Sequence, residues 1–284
     1  MSSIRIRALA APFGRDLEED LRRAEAHIAT ARADGVDLLV LPEAALGGYL
    51  TSISEPGPGE EMPVPPAALQ PDGPEIARIA AAAGDLVVCV GLCEDGGDVR
   101  YNAAACLSGD GVLGWHRKVH QPLSEHLSYG GGDRFAAFET PVGRLGMMIC
   151  YDKAFPESAR ALALDGAHVV ACISAWPGSS TGAARDLADD RWKHRFDLFD
   201  RARALENQVV WAASNQSGEF GSMRFVGSAK IVDPGGAVLS ETGVPEGAAT
   251  ADVDVEAALA TARRSMFHLR DRRADTYGEA MLPV

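Results

Sequence analysis

Apolar runs of strand length alternate along this chain with stretches whose apolar residues recur every three or four positions, and that alternation restricts the fold more than any other feature. After the strand-like IRIRALAA, residues Leu17, Leu21, Ala24 and Ile28 mark one face of a helix that Gly35 ends. VDLLVLPE then reads as a buried strand. A turn-rich loop follows through EPGPGEEMPVPP, and a second helix starts near Pro74 and stops at Gly84, before the strand LVVCVGLCE. YNAAACLS and VLGWHRK read as a hairpin across Gly109, Asp110 and Gly111. Beyond a YGGGD loop, RFAAFET and RLGMMIC form a further pair turning at PVG. The second half repeats the pattern: a helix from Pro156 toward Gly166, the strand HVVACIS, a long helix with Trp192, Phe196 and Phe199 on one face, then QVVWAASN. Strands return in GSAKIVDPGGAVLS and ATADVDV. No break in composition divides the chain, so one α/β domain with helices covering strands is expected over residues 1–262. Residues 263–284 read as a C-terminal arm that docks on its own subunit or, at a subunit interface, on a neighbour.

A chain of 284 residues that is 46% hydrophobic and 24% charged can bury one large core. Its 27 basic against 40 acidic residues leave a net charge of −13, which repels nucleic-acid phosphates and anionic membrane surfaces, so neither is expected as a partner. A small ligand answers to the local field of its pocket, and the bulk charge favours a cationic substrate only weakly. The opening MSSIRIRALAAPFGRD has a short apolar stretch broken by arginines, so neither a signal peptide nor a spanning helix is read there and a cytoplasmic location is expected. Cys89, Cys93, Cys106, Cys150 and Cys172 lack the paired spacing of a disulfide framework or zinc site, and reduced thiols are expected.

Three chemically capable side chains stand at the ends of expected strands: Glu43 after DLLVLP, Lys118 after VLGWHR and Cys150 after RLGMMI. Ligand sites in α/β sheets form beyond the carboxyl ends of strands, where side chains from separate strands converge. Singly, each has a plainer use. Glu43 can cap the next segment, Lys118 can join a charged patch with His116, Arg117 and His120, and Cys150 can pack as a small hydrophobe. Together they make a sufficient set. A thiol attacks well only if a carboxylate takes its proton or a cation favours the thiolate, and an ammonium can then hold the oxyanion. His120 and His126 allow a Cys/His pair but fall in no nucleophile-and-base signature. His116 and His120, four apart on an expected strand, lack a third ligand for a metal. YGGGD lacks the strand, helix and lysine of a phosphate loop and reads as a mobile pocket rim. The other four cysteines are assigned to packing.

The segments LLVLPEAALGGY, WHRKVH, GRLGMMICYDKAFPESARALALDGA, ARALENQVVWAASN and GSAKIVDPGG, in that order, resemble the nitrilase superfamily of carbon-nitrogen hydrolases over nearly the whole chain. The resemblance implies a four-layer αββα sandwich, usually paired into a homodimer or larger homo-oligomer, with no cofactor and no metal. It carries Glu43, Lys118 and Cys150 over as the catalytic triad. It also matches Glu125, in QPLSEHLSY, to a second glutamate that either pairs with Lys118 or holds the substrate. By the same resemblance Tyr49, Tyr151, Lys153, Ala175 and Trp176 approach the substrate, the Tyr151 N–H sharing the oxyanion with Lys118. Trp176 either walls off an acyl group or belongs to the core.

Members that hydrolyse nitriles usually follow the cysteine with Trp and Glu; Tyr151 and Asp152 stand here and favour an amidase. The arginine that omega-amidases carry at the place of Ala154 is absent, and Lys153 lies one position earlier. The expected activity is cleavage of a small linear amide to a carboxylic acid and ammonia through a cysteine thioester. N-carbamoyl amine or amino acid hydrolysis and nitrile hydrolysis are the alternatives. A catalytically idle binding or scaffolding homologue is the non-enzyme alternative, against which the intact Glu43, Lys118 and Cys150 speak.

Overall fold

Strands buried on both faces must divide their side chains between two cores, because successive residues point to opposite sides of a sheet. The computed structural model, which describes residues 3–59, 61, 63–264 and 266–277, divides them in this way. In the first half, β1 (Ile4–Ala11), α1 (Leu17–Ala33), β2 (Leu38–Val40), α2 (Pro74–Ala83), β3 (Val87–Asp95), β4 (Arg100–Ser108) and β5 (Gly111–Arg117) follow the expected order. Leu38 and Val40 point into a core between two sheets, where they join Met147, Ile149, Ala171 and Ile173. Leu39 and Leu41 point the other way, against Ile28 of α1 and Ile76 and Ile79 of α2. The second half places β6 (Ala137–Thr140), β7 (Gly143–Ile149), α3 (Pro156–Leu164), β8 (Val169–Ile173), α4 (Arg191–Asn207) and β9 (Val210–Ala213) in the mirror arrangement. Met148, Val170 and Cys172 face outward, onto Ala159 and Leu162 of α3 and Ala204 of α4. The result is the four-layer αββα sandwich.

Local chemistry sets the helix ends. The Asp16 carboxylate accepts the Glu19 N–H at 3.1 Å to open α1, and the Asp190 carboxylate accepts the Trp192 N–H at 2.8 Å to open α4. Pro74 and Pro156 occupy first turns, where no N–H is needed. None of the helices among the described residues is long and apolar enough to cross a membrane.

Two parts of the fold differ from expectation. After β9 the chain does not stop pairing: β10 (Asn215–Phe220) and β11 (Met223–Val226) form a hairpin on the edge of the first sheet, β10 running parallel to β1. The second sheet ends in β12 (Lys230–Val232) and β13 (Val238–Glu241), and β14 (Gly247–Val253) returns to pair with β1. The chain therefore leaves one sheet at Ala213 and enters the other at Asn215. Buried Asn215, Gln216 and Ser217 have no apolar alternation to reveal this strand. The second difference is a fifth helix, α5 (Val255–Arg263), which Asp254 caps through the Ala257 N–H at 2.9 Å.

The described part of the C-terminal arm docks on its own chain. The Gln208 amide donates to the carbonyls of Ala262 and Met266 at 2.7 and 2.6 Å and accepts the His268 N–H at 3.0 Å, while Leu269 packs on the outer core. Ser265 and residues 278–284 of that arm lie outside the described residues. The YGGGD loop, expected at a pocket rim, is packed instead: a Cβ on Gly132 would collide with the carbonyl oxygen of Arg117, and its N–H donates to the Lys118 carbonyl at 2.7 Å. It braces the residue that bears Lys118 from behind.

Candidate active site

Glu43 and Lys118 come from the first sheet and Cys150 from the second, so the site lies where the two sheets face each other. Lys118 follows β5 directly and is fully buried. Its ammonium donates to Glu43 Oε1 at 2.8 Å and to Glu125 Oε2 at 2.7 Å. Glu125 is presented by a single helical turn after Leu123 and is also fully buried. One side-chain amide serves both carboxylates, since Asn102 Nδ2 donates to Glu43 Oε1 at 2.6 Å and to Glu125 Oε1 at 2.7 Å. The second oxygen of Glu43 accepts the Ala175 N–H at 2.6 Å, from the loop after β8. Glu43 is thus bonded from both sheets.

Burial opposes the charge on Lys118, yet the fields of Glu125 and Glu43 outweigh it and hold the ammonium more firmly protonated than an ordinary lysine. Glu125 goes the other way: burial and the nearby charge of Glu43 raise its proton affinity, with Lys118 and Asn102 opposing. Two buried carboxylates thus share one ammonium in a dry site.

Cys150 is the first residue past β7 and adopts φ of 50°, a left-handed conformation uncommon for a residue with a side chain. This sharp turn lets the thiol leave the line of the strand and face a cavity. Burial raises its pKa well above that of a free thiol, the negative charge of Glu43 adds to this, and Lys118 and the Ala175 N–H pull in the opposite direction. The resting sulfur is therefore protonated, and it feels both Glu43 and Lys118.

The cavity in front of Cys150 has a volume of about 360 Å³. Tyr49, Tyr151, Ala154, Ala175 and Trp176 line it. Trp176 both lines the cavity and packs edge-on against Phe196 and Phe199 at 5.9 and 6.1 Å between ring centres. Lys153 does not reach the cavity. It is fully buried on the far side of the turn, where its ammonium donates to Asp200 at 2.8 Å and sits over the Phe196 ring. Adjacent residues in a tight turn diverge in direction, so a position next to Ala154 does not imply a place beside the substrate.

The family profile described as "Carbon-nitrogen hydrolase" matches residues 5–263. The chain belongs to the carbon-nitrogen hydrolase family. It is 32% identical over 271 residues to an (R)-stereoselective amidase from Pseudomonas sp, with 93% of this chain and 89% of that one covered. It is 31% identical over 277 residues to an omega-amidase from Xenopus tropicalis, with 91% of each chain covered. Its fold matches the crystal structure of a carbon-nitrogen hydrolase from Helicobacter pylori G27 with a TM-score of 0.82 at 24% identity, over 99% of both chains. This member of the family is a hydrolase acting on non-peptide carbon–nitrogen bonds.

Several residues that shape this hydrolase's site escaped the sequence. Asn102 was one polar residue in an apolar strand, and only the sheet register shows that it faces the site. The cavity walls from α4, Trp192 and Phe199, had the signature of a packing face. Asp152 links the two halves of the site. Its buried carboxylate accepts the Ile149 N–H at 3.1 Å, the His120 N–H at 2.8 Å and the Val119 N–H at 3.3 Å, and lies 3.3 Å from His116 Nε2 and 3.0 Å from His120 Nδ1. The two histidines thus converge on a carboxylate rather than on Cys150.

Burial works against the charge of Asp152, but the hydrogen bonds from His116 and His120 outweigh it and bring the carboxyl down to about 2. A depressed carboxyl contributes stability that is present above its unfolded value near 3.8 and is lost as pH falls through 2. An Asp152→Asn protein should be less stable at pH 7 by about 2 kcal/mol or more. The gap to wild type should close between pH 4 and pH 2 in urea titrations, and a gap constant over that range would assign the loss to packing.

Gly91 sets the position of Glu43. A Cβ on this residue of β3 would lie 2.6 Å from the Glu43 Cα. The Gly91 N–H donates to the Pro42 carbonyl at 3.2 Å, and its carbonyl accepts the Leu46 N–H at 3.0 Å, so the turn is laid directly on the strand. Gly91→Ala should displace that turn and lower kcat/KM by about 100-fold, the effect of a misplacement near 1 Å. Activity measured beside the melting temperature would separate displacement from unfolding.

Proposed function

We propose that the protein is an amidase that converts a small linear amide to a carboxylic acid and ammonia through a thioester on Cys150. The observation that carries this reading is the buried Lys118 ammonium, bonded to Glu43 and Glu125, behind a cavity-facing thiol whose charge state depends on both Glu43 and Lys118. The thiol is neutral at rest, so it must lose its proton as it attacks. Glu43 is the acceptor: its carboxylate is already fixed by Lys118, Asn102 and the Ala175 N–H. As the Cys150 sulfur bonds to the amide carbon, the carbonyl oxygen takes the electron pair and meets the Lys118 ammonium and the Tyr151 N–H. Collapse of this adduct breaks the C–N bond, and Glu43 passes its proton to the leaving nitrogen. Glu43 then takes a proton from water as the water oxygen adds to the thioester carbon; collapse of this second adduct breaks the C–S bond, the carboxylic acid leaves, and Glu43 returns its proton to the Cys150 sulfur. Glu125 keeps Lys118 charged and in place.

Support for an amide over a nitrile comes from Tyr151 and Asp152 after the nucleophile; relatives of similar identity include both amidases and nitrilases. The test is a panel of primary amides, N-carbamoyl amines and nitriles of matched size, read by ammonia release and by the intact mass of the protein. Amide turnover with an acyl adduct on the peptide containing Cys150 is the expected result. Turnover confined to N-carbamoyl compounds or nitriles would move the assignment to those reactions, and a protein inert to the whole panel and never acylated would be a binding homologue.

A further inference from the structure

The cavity in front of Cys150 is walled by aromatic and aliphatic side chains, and of the residues described around it only Arg195 carries a formal charge. Trp192, Arg195 and Phe199 are spaced three and four apart on α4 and all line the cavity, so they form one stripe of that helix. The other basic residues of the same turns are engaged: Arg191 donates to the Thr181 carbonyl at 2.6 Å and Lys193 to Asp197 at 2.7 Å. Among the described residues no hydrogen bond or ion pair engages the Arg195 guanidinium, although acidic residues outnumber basic ones by 40 to 27. A free guanidinium at the edge of an apolar cavity is an unmet recognition element, since its planar fork matches a carboxylate.

We infer that Arg195 is a specificity-determining residue, and that it selects amides carrying a carboxylate away from the bond to be cleaved, with the intervening chain or ring against Trp192 and Phe199. This inference rests on the amidase reading and adds the substrate class. It runs against the bulk charge: a surface of net charge −13 would favour a cationic amide. The local cation reverses that order inside the cavity. Because Arg195 is exposed, solvent and salt screen the pairing, which limits its effect to about tenfold.

The test uses three amides of equal length ending in a carboxylate, a methyl group or an ammonium, assayed for kcat/KM with wild type, Arg195→Lys and Arg195→Glu. Wild type should prefer the carboxylate amide to the methyl one by about tenfold, with the ammonium amide last. Arg195→Lys should keep the order, Arg195→Glu should invert it, and 0.5 M salt, about three times physiological ionic strength, should compress the wild-type ratio. Ratios that are the same in wild type and Arg195→Glu overturn the role of Arg195 and leave the amidase intact. Failure of wild type to cleave any of the three removes the amidase reading and this inference with it. If Arg195→Glu does not fold, the wild-type order and its salt dependence decide alone, and a salt-independent order or a preference for the ammonium amide refutes the proposal.

Discussion

A Glu43→Gln protein should hydrolyse its best amide with kcat/KM lowered by about 1,000-fold or more, the range in which a general base is lost. The substitution keeps shape and volume while removing the proton acceptor. It also has a secondary effect. All the groups that surround this carboxylate donate: Lys118, Asn102 and the Ala175 N–H. An amide in its place must turn its own NH2 toward at least one of them, which costs about 1–3 kcal/mol. Single-turnover experiments should show no burst of acyl-enzyme, because proton removal precedes the thioester. Wild-type acylation by a folded Glu43→Gln protein would mean that another group deprotonates Cys150.

Lys118→Ala should combine a catalytic loss with a structural one. Without the ammonium the oxyanion keeps only the Tyr151 N–H, and removal of one such donor lowers kcat by about 100- to 1,000-fold. Glu43 and Glu125 are then buried with Asn102 alone between them, and breaking a buried pair from one side destabilises by about 3–5 kcal/mol. The deficit should depend on pH with a definite sign. Glu125 already holds its proton more tightly than an ordinary glutamate, and loss of the cation strengthens that hold. A carboxyl whose folded pKa is raised gives its full contribution below the unfolded value near 4.3 and loses it as pH rises through the folded one. The melting temperature of Lys118→Ala should therefore lie nearest to wild type at about pH 5 and fall away toward pH 8. Parallel curves for the two proteins would show that Glu125 does not respond to the ammonium.

The strand-end positions of Glu43, Lys118 and Cys150 were legible because a strand leaves its next residues at a predictable edge of the sheet. The helices were legible for a similar reason: Leu17, Leu21, Ala24 and Ile28 repeat at the period of α1. What escaped depended on direction rather than on order along the chain. Lys153 and Ala154 are neighbours, and only the course of the turn after Cys150 decides that one meets Asp200 and the other the cavity. Arg195 was hidden in RWKHRF, where every second residue is basic and nothing marks the one without a partner. The β10 strand was hidden because its buried residues are amides and a hydroxyl, chosen for hydrogen bonds across the sandwich rather than for apolar contact.

That crossing ties the catalytic apparatus to the cohesion of the whole molecule. Within three residues, the Ser214 hydroxyl donates to the Leu41 carbonyl, the Asn215 amide exchanges two bonds with the backbone of Trp176, and the Gln216 amide donates to the Glu43 carbonyl. These bonds fasten the crossing to the turns that follow β2 and β8. Neither half holds the whole of the proposed site, because Glu43 belongs to one, Cys150 to the other, and a seam of amides aligns them. Warming that parts the halves therefore separates Glu43 from Cys150 and ends turnover.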